Sequence, residues 1–168
     1  MPLFLGKLLN YLFNKRAELA NLGANDLLLA KLVMDFHRKK TGNKFMNVLL
    51  YEIEPIHPID RDDALRTTTD RAAAIAAHKE EIALGQLVSR ELLGRFMPSI
   101  SWIKVVNVGP ERYVSFEGNG RLEALKRVFV PADGISVEVE IFSFRNMKKM
   151  KRRIDRVRRL NRIVQHQR

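Results

Sequence analysis

The sequence predicts a mixed α/β fold, an α+β arrangement of a small mixed sheet with flanking helices. Three observations lead to this prediction. Apolar residues recur with the 3.6-residue period of helices in the first third of the chain and near its end. Residues 135–141 alternate between apolar and polar side chains, as in a strand with one wet face. A strand pattern at 113–116 passes through two glycines into a helix pattern at 122–129.

The N-terminal third predicts a pair of helices. Leucines and a phenylalanine give residues 5–13 a helical stripe, and Gly23 ends that stretch. Asn25 can cap the second helix, whose stripe includes Leu32 and Phe36, and Gly42 is expected to end it. We expect the pair to pack on the core. The alternative is an amphipathic helix lying on a membrane surface.

The middle of the chain predicts a short buried strand and two helices. Residues 48–53 form an apolar run that suits the strand. Thr69 or Asp70 is expected to cap a helix over residues 71–84, and Ser89 a shorter one. Each of these polar side chains can accept from the otherwise unpaired amides of a first helical turn.

The second half is richer in strands. Residues 102–108 and 113–116 are apolar and β-branched, and a turn separates them, so they predict a hairpin. A helix over 122–129 follows, and then the alternating strand 135–141, which we expect to be antiparallel or at an edge. The pattern predicts three segments: an N-terminal helical extension (1–45), a central domain (46–144) and a basic C-terminal helix (145–168).

Composition limits the possible chemistry. The chain has 168 residues and no cysteine, which excludes disulfides, thiolate catalysis and cysteine-based zinc sites. No apolar run approaches the ~18 residues that cross a bilayer, and the start lacks the pattern of a signal peptide. We therefore expect a cytoplasmic protein that does not bind a membrane.

The positive charge is concentrated at the C-terminus. Residues 145–168 carry eleven Lys/Arg and one acid, whereas the whole chain has a net charge of +11. The preceding 144 residues are therefore nearly neutral, at +1. A basic helix of this kind suits nucleic acid or an anionic surface, and its apolar stripe suits docking on the body or on another chain. The predicted nucleic-acid contacts are Lys148, Lys149, Lys151, Arg152, Arg153, Arg156, Arg158 and Arg159.

One segment carries readable chemistry, the turn Gly118-Asn119-Gly120-Arg121 between a strand and a helix. The first amides of a helix have no internal partner, and the helix dipole makes this end positive. Glycines let the backbone approach a ligand closely, and an arginine supplies a planar fork of donors. The turn therefore predicts a phosphate-binding site.

The context of this turn resembles the ParB/sulfiredoxin superfamily over roughly residues 48–141. In that family a β-hairpin leads into a Gly-x-x-Arg turn, and a helix follows with Ala three residues after the Arg. Gly118, Arg121 and Ala124 stand at those positions. Upstream, Pro55 and Arg61 fall in a segment that looks like the first block of the family, a strand followed by a Pro-containing loop near an Arg.

The resemblance implies a module whose turn holds nucleotide phosphates, with a nucleoside triphosphate and magnesium as possible cofactors and Arg61 as a weaker second contact. Sulfiredoxins have a catalytic Cys where this chain has Asn119, so sulfinic acid repair is excluded. ParB proteins have a Glu there that is linked to CTP hydrolysis, and Asn119 cannot serve as that acid. The chain thus keeps phosphate-holding parts of the turn and lacks the family's catalytic ones.

Whether the protein is an enzyme stays open. Glu117 could be a substitute acid or a magnesium ligand, and Asp60, Asp62 and Asp63 could hold a metal, so one alternative is a metal-assisted nuclease or phosphotransferase. We predict no dedicated metal site, because such acidic clusters are more often solvated helix starts. His57 lies in the same loop region. Another alternative is a protein-interaction module, a homo-oligomer or a complex formed through the C-terminal helix.

Overall fold

The structure is a computed structural model that describes residues 24–96 and 102–163. These residues form a mixed α/β fold, as predicted. The helices are α1 (Ala24–Lys39), α2 (Asp62–Ala76), α3 (Lys79–Gly85), α4 (Arg90–Phe96), α5 (Asn119–Val128) and α6 (Met147–Leu160). The strands are β1 (Lys40–Leu49), β2 (Ile53–Pro55), β3 (Leu87–Val88), β4 (Lys104–Gly109), β5 (Arg112–Glu117) and β6 (Ser136–Phe144). Short 3-10 helices cover Leu50–Glu52 and Pro131–Asp133.

The six described strands form one sheet in the order β1-β6-β4-β5-β2, and β3 also pairs with β6. The predicted hairpin is confirmed, because β4 and β5 are antiparallel neighbours. Strand β6 lies inside the sheet, antiparallel to β1 and parallel to both β3 and β4. The expected antiparallel pairing is thus observed with β1, whereas an edge position is wrong, and the polar residues Ser136, Glu138 and Glu140 of β6 are half-buried.

Two apolar layers cover the two faces of the sheet. On one face, β6 contributes Val137, Val139 and Ile141 to a core that also contains Leu122 and Leu125 of α5. On the other face, α1 and α6 pack over a second core of the following residues: Leu32, Phe36, Ile56, Val106, Val114, Phe116, Phe142, Phe144, Met150, Ile154 and Val157. The first and last helices of the described chain thus pack on the same face of the sheet.

Several predicted boundaries differ from the structure. The predicted boundary at residue 45 falls within β1, and Gly42 lies inside that strand rather than at a helix end. The run 48–53 is divided by a 3-10 helix between β1 and β2. The first predicted helix, at 5–13, lies outside the described residues.

The predicted helix 71–84 is observed as two helices, α2 and α3, and α2 begins nine residues earlier. Asp62 and Asp63 occupy its first turn, where carboxylates favour the helix dipole. Thr69 is therefore inside the helix, and its hydroxyl donates back to the Leu65 carbonyl at 3.0 Å. The prediction of a cap at Ser89 is confirmed, since its hydroxyl accepts from the Leu92 amide at 3.1 Å. The middle turns of α2 lie against α5.

Candidate functional site

The turn that joins β5 to α5 has the strand-turn-helix form that its glycines predict. Gly118 is the residue before the helix and has φ +83°, in the left-handed region. A Cβ atom at Gly118 would lie 2.9 Å from the Cα of Ile103, so a side chain has no room there. Glycine is therefore required at this position for both conformation and space.

The backbone of the turn is only partly open. The amides of Arg121 and Leu122 both donate to the Gly118 carbonyl at 3.0 Å. The amides of Asn119 and Gly120 are the first two of the helix and have no acceptor within it by position. Two amides of the turn are thus available to a ligand by position, and side chains must supply the rest of the site.

Arg121 is the main charged group of the site. Its side chain points into the protein, where only 3% of the residue is exposed, and its Nε and Nη1 atoms are buried without a hydrogen-bond partner. Its guanidinium carbon lies 5.8 Å from the centre of the Trp102 ring. Burial, and secondarily the nearby charge of Arg71, lower the pKa of Arg121 below its ordinary value.

Helix α2 adds two residues that are not part of the predicted site. A Cβ atom at Gly120 would lie 2.8 Å from Nη1 of Arg71 and 3.2 Å from the hydroxyl of Thr68. The absence of a side chain at Gly120 is therefore what lets α2 approach the turn. The sequence does contain a pattern that places these two residues together, because Thr68, Arg71 and Ile75 fall on one helical face at steps of three and four.

Two further buried polar atoms in this region lack partners. The hydroxyl of Thr68, which is fully buried, and the side-chain oxygen of Asn119, whose residue is 6% exposed, make no hydrogen bond. Buried polar groups in native proteins are nearly always paired, so such a cluster calls for a ligand or solvent. We name Thr68, Arg71, Asn119, Gly120 and Arg121 the two-arginine site.

Glu117 lies one residue before the turn, in a different setting. Its carboxylate contacts the imidazole of His37 and, at 2.7 Å, the ammonium of Lys104. Burial raises the pKa of Glu117, but the hydrogen bonds and charges of these partners outweigh it and hold the pKa below 4.5. This arrangement fastens β5 to α1 and β4. The prediction of Glu117 as a substitute acid has no further support from its surroundings.

Arg61 and the nearby acids are not brought into the two-arginine site by any observed contact. Arg61 precedes α2 and pairs with Asp26 of α1 at 2.9 Å. It is seven residues before Thr68, which is about 10 Å along a helix. Within residues 24–96 and 102–163, no three His, Asp or Glu side chains are grouped to hold a metal ion. Nδ1 of the His57 ring lies 2.7 Å from the Pro58 carbonyl oxygen, and no described hydrogen bond joins this ring to the two-arginine site.

The basic C-terminal segment forms α6, as its pattern predicts, and its cations divide into two groups. Arg158 is buried and ion-paired with Glu54, and Arg153 contacts Asp35 of α1 at 2.5 Å. These two arginines fasten the helix to the body. The other predicted contacts are exposed: Lys148, Lys149, Lys151, Arg152, Arg156 and Arg159.

None of the described helices is long and apolar enough to cross a membrane. Comparisons of the chain with protein-family models, curated proteins and solved structures gave no match. The ParB/sulfiredoxin resemblance therefore stays a prediction, based on the residues quoted for it.

Proposed function

We propose that this protein is a ParB-like phosphate-binding module that binds a nucleotide or nucleic acid at the two-arginine site. The observation that carries the proposal is the Arg121 guanidinium, which is buried without a hydrogen-bond partner on two of its nitrogens. A buried cation is normally paired with a carboxylate. Within the described part of the chain, no carboxylate forms an ion pair with Arg121.

The second guanidinium makes the case stronger. Arg71 lowers the pKa of Arg121, as a like charge does, so the folded protein holds two cations together at an energetic cost. A phosphate group would remove that cost, because its oxygens accept bidentate hydrogen bonds from guanidinium groups. Two positive charges are best balanced by a phosphate that carries two negative charges, such as the terminal group of a nucleotide.

The neutral groups suit the same ligand. The Thr68 hydroxyl and the amides of Asn119 and Gly120 are donors for phosphate oxygens at a helix N-terminus. The Asn119 oxygen, by contrast, is an acceptor and needs a hydroxyl or amine. A nucleotide offers both kinds of group, on its phosphate and on its sugar or base, whereas inorganic phosphate offers mainly acceptors.

The resemblance supports the same conclusion. The β4–β5 hairpin, the turn and the following helix occur in the order that the ParB/sulfiredoxin family implies, and Ala124 is fully buried in α5. The proposed phosphate contacts from the family motif are Gly118, Asn119, Gly120 and Arg121. Thr68 and Arg71 are added because of their position in the structure, and Arg61 stays a weaker prediction.

Titration calorimetry with CTP, ATP and GTP, each with and without magnesium, tests the proposal. We expect binding of at least one nucleotide, and its loss in Arg121→Met. Gly120→Ala should also weaken binding, because the new methyl displaces the mobile end of Arg71 rather than the backbone. Arg127→Met is the matched control, since Arg127 is an exposed cation of the same helix that pairs with Glu123.

Two outcomes would overturn the proposal. One is no binding of any nucleotide or oligonucleotide at millimolar concentration. The other is binding that Arg121→Met and Arg127→Met weaken equally, because that result would reflect net charge rather than a site.

The nuclease or phosphotransferase alternative stays a prediction. Release of phosphate or cleavage of DNA, abolished by Glu117→Gln, would support it. The interaction alternative loses one of its arguments, because the apolar stripe of α6 (Met150, Ile154 and Val157) is buried against the protein's own body.

A further inference from the structure

A second candidate site lies away from the turn, where α6 begins. Here four strands of the sheet (β1, β4, β5 and β6) and the first turns of α6 line a groove of about 640 Å³, within the usual range for ligand sites. We name it the lysine groove. The residues that line it are Lys44, Met46, Asn107, Val108, Tyr113, Ile141, Phe142, Ser143, Phe144, Met147, Lys148 and Lys151.

The groove is positively charged. Lys44, Lys148 and Lys151 are exposed, and no described carboxylate forms an ion pair with any of them. Its described lining contains no acidic residue. Three ammonium groups around one concave surface attract an anion and repel cations.

The floor of the groove is apolar, with polar groups at intervals. Val108 and Met147 are half-buried there, and Tyr113, which also packs on the core of the opposite face of the sheet, lines the groove as well. The Asn107 oxygen accepts from the Gly109 amide at 3.0 Å, which leaves its NH₂ group to donate to a ligand. The ligand should therefore be both anionic and partly apolar, with hydrogen-bonding edges.

Beyond the groove, α6 continues as a cationic surface. Arg152, Arg156 and Arg159 are exposed along it. The apolar stripe of the helix is already buried in the core, so this surface has no apolar face with which to enter a membrane. The charge thus extends beyond what a small ligand needs and suits a polyanion.

We propose that the lysine groove binds a single-stranded nucleic acid, with bases against the apolar floor and phosphates on the lysines. Sequence-tolerant binding of single strands combines a cationic groove with apolar and aromatic contacts to bases. In a duplex the bases are stacked inside the helix, so they cannot contact the apolar floor of the groove. The site is independent of the two-arginine site, and either can exist without the other.

Fluorescence anisotropy with labelled oligo-dT and oligo-U, a duplex of equal charge, and heparin tests this proposal on the full chain. Lys148→Gln/Lys151→Gln removes two groove cations, and the control Lys31→Gln/Lys79→Gln removes two exposed cations from other helices, α1 and α3. Each lost phosphate contact lowers the salt slope by about 0.7, so the groove variant should lose about 1.4 and bind about 25-fold more weakly near 0.1 M salt. The control pair should change the affinity for single strands much less.

The two labelled strands distinguish DNA from RNA as the preferred form. Tighter binding of single strands than of duplex or heparin, lost only in the groove variant, would support the proposal. Equal binding of single strands, duplex and heparin would overturn the proposal, and so would an equal loss of affinity in both variants. Binding of anionic vesicles in place of oligonucleotides would overturn it as well. Circular dichroism melting of each variant checks folding, and all four substituted side chains are exposed.

Discussion

Replacement of Arg121 by methionine should make the ligand-free protein more stable while abolishing phosphate binding. Methionine keeps an unbranched apolar stem of similar length and removes the charge. The folded state currently disfavours the charged form, since burial and Arg71 both lower the pKa of Arg121. Removing the guanidinium relieves that cost, which is the opposite of the usual effect of a core substitution.

The size of the gain follows from opposing terms. Burying an unpaired charge costs several kcal/mol even after relaxation of the surroundings. The contact with the Trp102 ring, at 5.8 Å, recovers about 0.5–1 kcal/mol, and water reaching the site recovers more. We expect a net gain of about 1–3 kcal/mol, or about 2–12 °C in Tm for a chain of this size.

The matched control is Arg158→Met. Arg158 is 2% exposed, as buried as Arg121, but it is ion-paired with Glu54. Its loss leaves a partly buried carboxylate without this partner and should destabilise the protein by about 1–3 kcal/mol. Two buried arginines are thus expected to give shifts of opposite sign, which general effects of the substitution cannot produce.

Thermal melts followed by circular dichroism, with and without nucleotide, measure both effects. A ligand at 100 times its Kd should stabilise the wild type by about 2.7 kcal/mol and leave Arg121→Met unchanged. If Arg121→Met lowers the Tm of the ligand-free protein as Arg158→Met does, the guanidinium is satisfied within the fold and the reasoning is refuted.

Three further predictions concern the elements that hold the site. Gly118→Ala should destabilise the protein by about 2–4 kcal/mol in a urea melt, because the new Cβ atom would sit at a positive φ and 2.9 Å from the backbone of Ile103. A loss of stability under about 1 kcal/mol would contradict this prediction. Glu117→Gln should lower stability at pH 7 but not at acidic pH. The folded pKa of this carboxyl lies below 4.5, so its contribution is present above that pH and is lost as the pH falls through the folded value; a constant difference between pH 3 and 7 would argue against the ion pairs. Asp35→Asn should weaken the packing of α6 on α1 by about 1–3 kcal/mol, because Asp35 is 7% exposed and pairs with Arg153. Hydrogen exchange of the α6 amides should become faster, and unchanged exchange would mean that the ion pair does not stabilise this packing.

Much of the fold was predictable from local pattern. The hairpin, the cap at Ser89, the helix after Gly118 and the basic terminal helix follow from apolar period and turn chemistry, both of which act over a few residues. The start of α2 was missed because its first turn is stabilised by acidic residues rather than marked by an apolar stripe. The split of residues 48–53 was missed because a short apolar run does not reveal where it bends.

The sequence by its pattern located the turn, between a strand and a helix, that carries Arg121. The order of strand, Gly118, Gly120, Arg121 and helix is written in the chain, and so is the spacing of the two glycines to the arginine. The sequence also determined that the charge is concentrated in the last segment. These are properties of neighbouring residues, so they need no knowledge of the rest of the molecule.

Only the tertiary structure decided which charges are available. Arg71 reaches the turn from a helix that begins more than fifty residues earlier, and Glu117 contacts His37 and Lys104 on two other elements. Two basic residues of α6 form ion pairs that attach the helix to the rest of the protein. The lysine groove is lined by α6 together with four strands of the sheet. Pairing between charges depends on distances between residues far apart in sequence, and packing alone sets those distances.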